Sequence, residues 1–325
     1  MTFMTRLKTS ASDLARTAVG VAFGVALTAA LVGSLPTPAL AQAPAAAASA
    51  PAPRADGPGP ALWVIRDADS TLYLFGTVHV LRPTTAWGSD RVDAAFASAS
   101  QLILEVSNPD DQAAAMPLIQ QYGISPATPL SSLLTADEMA ALDVAARSMG
   151  MTAAQLDPFR PWLAALTLSV APLTKAGYDP QSGVDLLLKA RAEAAGMPVS
   201  GFETIDEQLR ILAGFPEAGQ LEFLRSTLED FEDASVELDK LVSAWSEGDV
   251  ATVESVGVEP MRDESELMYQ SILVNRNVNW AGQIEDLLAG SGTVFIAVGA
   301  AHLAGDDSVQ AQLAHRGITV ERVPN

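Results

Sequence analysis

The chain has 325 residues, carries a formal net charge of −20 and contains no cysteine. The lack of cysteine excludes disulfides, thiolate zinc sites and cysteine nucleophiles. The acidic balance argues against a nucleic-acid partner, because binding to phosphates depends on clustered lysine and arginine. Carboxylates also supply oxygen ligands for metal ions, so the charge leaves metal chemistry open.

The first residues have the pattern of a secretory signal peptide. A basic lead precedes an apolar run over residues 19–33, and Ala39 and Ala41 form a small-x-small cleavage site. This run is shorter than the roughly 20 residues of a membrane span, so we expect cleavage after Ala41 rather than retention as an anchor. We therefore predict a signal peptide at 1–41, a periplasmic or secreted location, and no stable membrane span after cleavage.

Two further segments follow. Residues 42–60 are dominated by alanine, proline and glycine, which predicts a flexible linker. Residues 61–325 are long enough for a large core and contain no second linker, which favours a single domain.

The predicted elements place strands at both ends of this domain and helices in the middle. Strands are predicted at 61–66, 71–75, 101–104, 198–202, 293–298 and 318–323. Helices are predicted at 90–98, over most of 112–279, and at 307–315. The first two strands form a predicted hairpin, and Thr135 and Thr204 each open a predicted capping box. The pattern indicates a mixed α/β fold with a small sheet and a long helical insertion.

A G-x-x-H motif follows an apolar strand at two places. Gly76 precedes His79, and Gly299 precedes His302. We interpret each glycine as the point where the backbone turns sharply and directs the imidazole out of the sheet edge.

Two predicted strands also end in a carboxylate. Glu105 and Glu203 each follow an apolar run. If the strands share one sheet, these glutamates and the two motif histidines converge on one edge. Imidazole and carboxylate are the usual thiol-free ligands of a divalent metal, and they also activate water as general bases.

These residues together resemble the TraB/GumN family. The matching segments are 62–63, 73–81, Glu105, 201–204, 276–277 and 298–303. The family is similar to the Tiki metalloproteases and, more distantly, to erythromycin esterases and haem-binding ChaN-like proteins. The resemblance implies tandem strand-strand-helix units around the helical insertion. It also implies a metal-dependent peptidase that uses manganese, cobalt or zinc and acts on a peptide or protein.

The resemblance also implies roles for particular side chains. The proposed metal ligands are His79, His302, Glu105 and Glu203, with the carboxylate not used as a ligand acting as general base. Arg276 is assigned to a developing oxyanion or a substrate carboxylate. Supporting roles fall to Gly76, Gly299 and Asn277.

Structural alternatives remain open for the same residues. Each motif histidine would then hold its own turn, Glu105 and Glu203 would each cap the following helix, and Arg276 would pair with Glu105 or with a helix carbonyl. His315 is assigned to the protein surface. Asp185 could face the cleft, but it is assigned to the first turn of a helix, where an acidic residue needs no further explanation.

The favoured function is a metal-dependent hydrolase. The alternative is a noncatalytic haem- or metal-binding protein that uses the same histidines. A weaker alternative, an accessory role in a surface polysaccharide system, rests only on the GumN part of the family name. The sequence leaves the oligomeric state open.

Overall fold

The computed structural model describes residues 52–324. The predicted signal peptide and residues 42–51 of the predicted linker lie outside the described residues. Within the described range, no helix combines the length and apolar character needed to cross a bilayer.

The strands form one six-stranded mixed sheet. They are β1 (Leu62–Arg66), β2 (Ser70–Thr77), β3 (Gln101–Val106), β4 (Val199–Glu203), β5 (Gly292–Gly299) and β6 (Glu321–Arg322). Their order across the sheet is β4-β3-β5-β2-β1-β6. The hairpin β1–β2 is antiparallel as predicted, and β1 also pairs with β6. Strands β4, β3, β5 and β2 run parallel to their neighbours in this set.

The helices lie mostly between β3 and β5, as predicted. They are α1 (Asp90–Ser98), α2 (Gln112–Gly123), α3 (Ala136–Ser148), α4 (Ala153–Leu156), α5 (Pro161–Lys175), α6 (Val184–Ala194), α7 (Ile205–Ala213), α8 (Glu217–Glu229), α9 (Ala234–Glu247), α10 (Val250–Val253), α11 (Glu259–Glu264), α12 (Glu266–Tyr269), α13 (Asn275–Leu288) and α14 (Val309–His315). The capping boxes predicted at Thr135 and Thr204 are both present. The predicted last strand, 318–323, forms only the short β6.

The sheet is covered on both faces, which explains its continuous apolar strands. Side chains alternate along β5, so that Phe295 faces the helical insertion while Ile296 faces α13 and α14. Within the insertion, α5 is buried along most of its length and packs against α8. The protein therefore has a mixed α/β fold with helices packed on both faces of its sheet.

The last part of the predicted linker lies against this domain. The backbone amides of Trp87 and Gly88 both donate to the Pro53 carbonyl at 2.9 Å. The Arg91 guanidinium donates to the Gly59 and Pro60 carbonyls. Residues 52–60 are thus held by hydrogen bonds where the composition had indicated a flexible segment.

A buried histidine, carboxylate and arginine cluster as candidate active site

The four parallel strands bring the predicted site residues to one edge of the sheet. Parallel strands end at the same edge, and polar groups placed after them meet there. His79 follows β2 and His302 follows β5. Glu105 is the last residue but one of β3, and Glu203 is the last residue of β4. The predicted convergence of these four side chains is therefore present in the structure.

Residues from the helices complete a network that we call the edge cluster. Its members are His79, Glu105, Asp185, Glu203, Gln208, Arg276, Asn277 and His302. All of them are buried except Glu203, whose side chain is 11% exposed. Glu203 therefore marks the side of the cluster nearest to solvent.

Arg276 lies at the centre of the edge cluster. Its Nη2 donates to Glu105 at 2.6 Å and to Glu203 at 2.9 Å, and its Nε donates to Glu203 at 2.8 Å. Its Nη1 donates to the Ile272 carbonyl at 3.1 Å and to His302 Nε2 at 3.0 Å. All five guanidinium N–H groups are thereby engaged. The oxyanion role predicted for Arg276 would require one of these bonds to break.

A local change in helix geometry helps to place Arg276. Residues Gln270–Val274 form a π-helical turn directly before α13. Such a turn is wider than an α-helical one and is often found at functional sites. Here the Arg276 side chain folds back onto the Ile272 carbonyl of that turn, which anchors the guanidinium within the edge cluster. Burial by itself lowers the pKa of Arg276, but Glu105 and Glu203 outweigh it and the pKa is raised.

The two nitrogens of His302 are both engaged. Nε2 faces the Arg276 guanidinium, which can only donate, so Nε2 accepts that hydrogen bond. The proton then lies on Nδ1, which donates to Asn277 Oδ1 at 2.6 Å. Asn277 in turn donates to the Asp307 carbonyl, and the Trp280 ring lies 4.4 Å from the His302 ring. His302 is therefore a fixed, neutral imidazole.

His79 differs from His302 because one of its nitrogens has no hydrogen-bond partner. Nδ1 lies 2.9 Å from the buried Asp185 carboxylate, and Nε2 is buried without a hydrogen bond, 3.8 Å from Glu105 Oε1. Burial lowers the pKa of His79, but the negative charges of Asp185 and Glu105 outweigh it and raise the pKa overall. This imidazole is oriented by a carboxylate and is able to exchange a proton at Nε2.

Neither motif glycine has a left-handed backbone, and Gly76 allows a close approach between two segments. Gly76 lies within β2, and a β carbon at this position would come within 3.0 Å of the Ala300 α carbon. Gly299 has a φ of −50°, which is open to other residues, and its amide donates to Glu105 Oε1 at 2.6 Å. The two motifs thus pack against each other, and the second one fixes Glu105. The chain turns directly after Gly299, where β5 ends and the 3-10 helix Ala300–Leu303 begins, whereas Gly76 lies inside β2.

The donor atoms, in this arrangement, do not fit the predicted divalent metal. Glu105, Glu203 and His302 all direct lone pairs at the Arg276 guanidinium, and only His79 Nε2 is free of a hydrogen bond. A guanidinium among the proposed ligands also repels a second cation. In residues 52–324 no group of three or more metal-ligating side chains has the geometry of a metal site.

The sequence did not assign a role in the site to three residues that contact its carboxylates or histidines. Asp185 was assigned to a helix start, yet its carboxylate orients His79. Gln208 donates to Glu105 and Glu203, and Trp280 Nε1 donates to Glu203 at 3.0 Å. Each of the three lies on a helix. A single polar or aromatic residue in a helix has the same sequence pattern whether it belongs to a functional site, to the surface or to the core. Glu203 does not cap α7, since Thr204 does so.

The fold and the edge cluster define a class of mixed α/β protein with a buried acid–base network at the carboxyl edge of its parallel strands. The chain matches the model of the TraB/PrgY/gumN family over residues 61–322, and it belongs to this family. The resemblance inferred from the motifs is therefore confirmed.

Two relatives, one from Escherichia coli and one from Treponema pallidum, are similar to this protein over most of the chain. The uncharacterized protein YbaP of Escherichia coli K12 is 23% identical over 256 residues, which cover 78% of this chain and 92% of YbaP. An uncharacterized protein of Treponema pallidum is 24% identical over 263 residues, which cover 76% of this chain and 78% of the relative. No solved structure matches the chain significantly.

Proposed function

We propose that this protein is a hydrolase of peptide or related acyl bonds and that its chemistry takes place at the edge cluster. The observation that carries the proposal is His79, whose Nδ1 lies against a buried carboxylate while its Nε2 is free of a hydrogen bond beside Glu105. An imidazole held in this way accepts and returns a proton at Nε2. The signal-peptide pattern adds a periplasmic or secreted location to the proposal.

The proposed reaction uses His79 as the proton carrier. Water adds its oxygen to the carbonyl carbon while His79 Nε2 takes one of its protons. The carbon–nitrogen bond then breaks, and the same proton passes to the leaving amine, so the products are a carboxylic acid and an amine. Nε2 takes this proton in the neutral form of the ring, and the raised pKa of His79 favours the protonated form that then returns the proton to the leaving amine.

The remaining residues hold His79 and Glu105 in place. Arg276 joins Glu105, Glu203 and His302 into one unit. Asp185 fixes the orientation of the His79 ring, as the buried carboxylate of a catalytic triad does. We assign these residues to positioning and assign proton transfer to His79.

Access to the edge cluster is proposed from the side of Glu203, its most exposed member. An open groove of about 610 Å³ is lined by Phe202, by Gln101 at the start of β3 and by Gln283 of α13, and no residue of the edge cluster lines it. Phe202 lines the groove and directly precedes Glu203 in β4, and its ring stacks on Trp280. Because the other cluster side chains are covered, a substrate reaches His79 only after these aromatic rings or the neighbouring loop have shifted.

The test is a hydrolysis screen of the full chain with a mixed peptide library, with and without added manganese, cobalt and zinc. His79→Ala and His302→Ala should each lower the rate at least 100-fold and keep the fold. His315→Ala is the matched control, because His315 is exposed at the end of α14 and should leave the rate unchanged. Lack of any cleavage by the wild type under all conditions refutes the proposal.

Two further measurements separate the alternatives. Elemental analysis of the wild type against His79→Ala and His302→Ala tests the predicted metal requirement. Bound divalent ion that both variants lose would show that Arg276 gives way to a metal. An absorption spectrum with added haemin tests the binder alternative, which a Soret shift abolished in His79→Ala would favour.

A further inference from the structure

Gln208 lies between the two carboxylates of the edge cluster. It belongs to α7, is 1% exposed, and its Nε2 donates to Glu105 Oε2 and to Glu203 Oε2, both at 3.1 Å. Gln208 is uncharged, and both carboxylates already form ion pairs with Arg276. The side-chain amide is therefore an addition to the ion pairs.

The two carboxylates fix the orientation of this amide. A carboxylate only accepts hydrogen bonds, so the NH₂ group of Gln208 must face both of them. The opposite orientation would place the Gln208 carbonyl oxygen against two negatively charged groups. Oε1 consequently points away from the carboxylates, and it is buried without a hydrogen-bond partner.

Two buried atoms of the edge cluster have no hydrogen-bond partner: Gln208 Oε1, which can only accept, and His79 Nε2. Most buried polar atoms are hydrogen-bonded, and each exception calls for an explanation. The cluster is also rich in acceptors by charge, since three carboxylates face one guanidinium and one imidazole. A ligand N–H group would give Gln208 Oε1 its missing donor and would suit the excess of carboxylates.

We infer that Gln208 Oε1 accepts a hydrogen bond from the N–H of the substrate, which makes the site selective for amides over esters. This inference rests on the proposed function and narrows its substrate class to compounds with an N–H beside the reacting carbonyl. An ester has an oxygen at that position and leaves Gln208 Oε1 without a donor. Sites built around such a bond reject analogues that lack it, because a buried polar group stays unpaired.

The experiment compares three probes on the full-length chain. The first is an acetylated tetrapeptide-amide library of mixed sequence. In the second library the central N–H is replaced by an ester oxygen, and in the third it is N-methylated. Retention of each library is measured by equilibrium dialysis and mass spectrometry, and cleavage products are measured in the same samples. The wild type should retain the amide library at least 10-fold better than either of the other two.

Gln208→Met removes the amide group at similar volume and should reduce this preference to less than 3-fold. Gln220→Met is the matched control, since Gln220 is also buried and its Nε2 also donates to two acceptors, but it lies in α8 outside the edge cluster. The control should keep the full preference. A preference is a ratio, so partial unfolding of either variant does not change it.

The outcomes distinguish the two proposals. A wild type that prefers amides through Gln208 but releases no products refutes the hydrolase and supports the inference. A wild type that cleaves all three libraries equally supports the hydrolase and refutes the inference. A preference that survives Gln208→Met, or a wild type that retains none of the libraries, also refutes the inference.

Discussion

Replacing Asp185 with asparagine should destabilise the protein most at mildly acidic pH. The substitution keeps the shape of the side chain and an oxygen acceptor for His79 Nδ1, and it removes the negative charge 2.9 Å from the ring. The carboxylate of Asp185 is the main influence that raises the pKa of His79 against its burial. The variant therefore tests the electrostatic part of the contact alone.

The expected size follows from the type of hydrogen bond that is lost. A hydrogen bond to a charged group contributes about 1.5–3 kcal/mol, whereas a neutral one contributes about 0.5–1.5 kcal/mol. Asp185→Asn should thus cost about 1–2 kcal/mol when His79 is protonated. With a domain of this size, that corresponds to a decrease in Tm of about 2–4 °C.

The direction with pH follows from linkage. The pKa of His79 is higher in the folded protein than the ordinary value of 6.5. The stability that comes from its protonated form is complete below that ordinary value and is lost as the pH rises through the folded pKa. The difference between wild type and Asp185→Asn should therefore be largest at pH 5.5 and should decrease by pH 9.

Urea unfolding followed by tryptophan fluorescence at the two pH values measures this difference. Glu285→Gln is the control, because Glu285 forms an exposed ion pair with Arg316 at 2.8 Å and should change stability by less than about 0.5 kcal/mol. A loss for Asp185→Asn that is equal at both pH values, or greater at pH 9, would refute the reasoning.

Three further substitutions have expected outcomes. Burial beside Glu264 and other carboxylates raises the pKa of Asp230 from 3.8 to about 7, so the wild type loses stability as the pH rises between these two values. Asp230→Asn should stabilise the protein at pH 8 by up to about 4 kcal/mol and have little effect at pH 4, which urea titration measures. Gly183→Ala should destabilise the protein by at least about 2 kcal/mol and lower the hydrolysis rate, because the added methyl group would collide with the His79 carbonyl oxygen; unchanged thermal unfolding would contradict this. Arg276→Lys keeps the charge but loses the forked contacts to the carboxylates. It should lower the Tm and should reduce the rate of cleavage at least 10-fold, whereas a fully active variant would exclude the positioning role.

The sheet and its site-bearing edge were predictable because their signals are local. Apolar runs that end in glycine or glutamate predicted β2, β3 and β5 to within a few residues. Capping boxes at Thr135 and Thr204 predicted where two of the helices begin. Once several such strands are parallel, their ends must meet at one edge. The four polar residues at those ends could therefore be grouped from the sequence.

The remaining contacts depend on packing between distant segments. Asp185 fits the first turn of α6 so well that its sequence position gives no sign of a partner in His79. Gln208 likewise reaches the carboxylates only because α7 folds back from β4. The same limit applies to the metal prediction, since the sequence does not reveal that the Arg276 guanidinium occupies the space among the expected ligands.

The position of β5 between β3 and β2 has a consequence for how the molecule is assembled. This strand is among the last elements of the chain, yet it separates the two strands that carry His79 and Glu105. Until residues 292–302 have been synthesised, Glu105 lacks its amide donor and the second histidine is missing. A chain that ends before residue 292 thus cannot complete the edge cluster, and it leaves the facing edges of β2 and β3 without their shared neighbour.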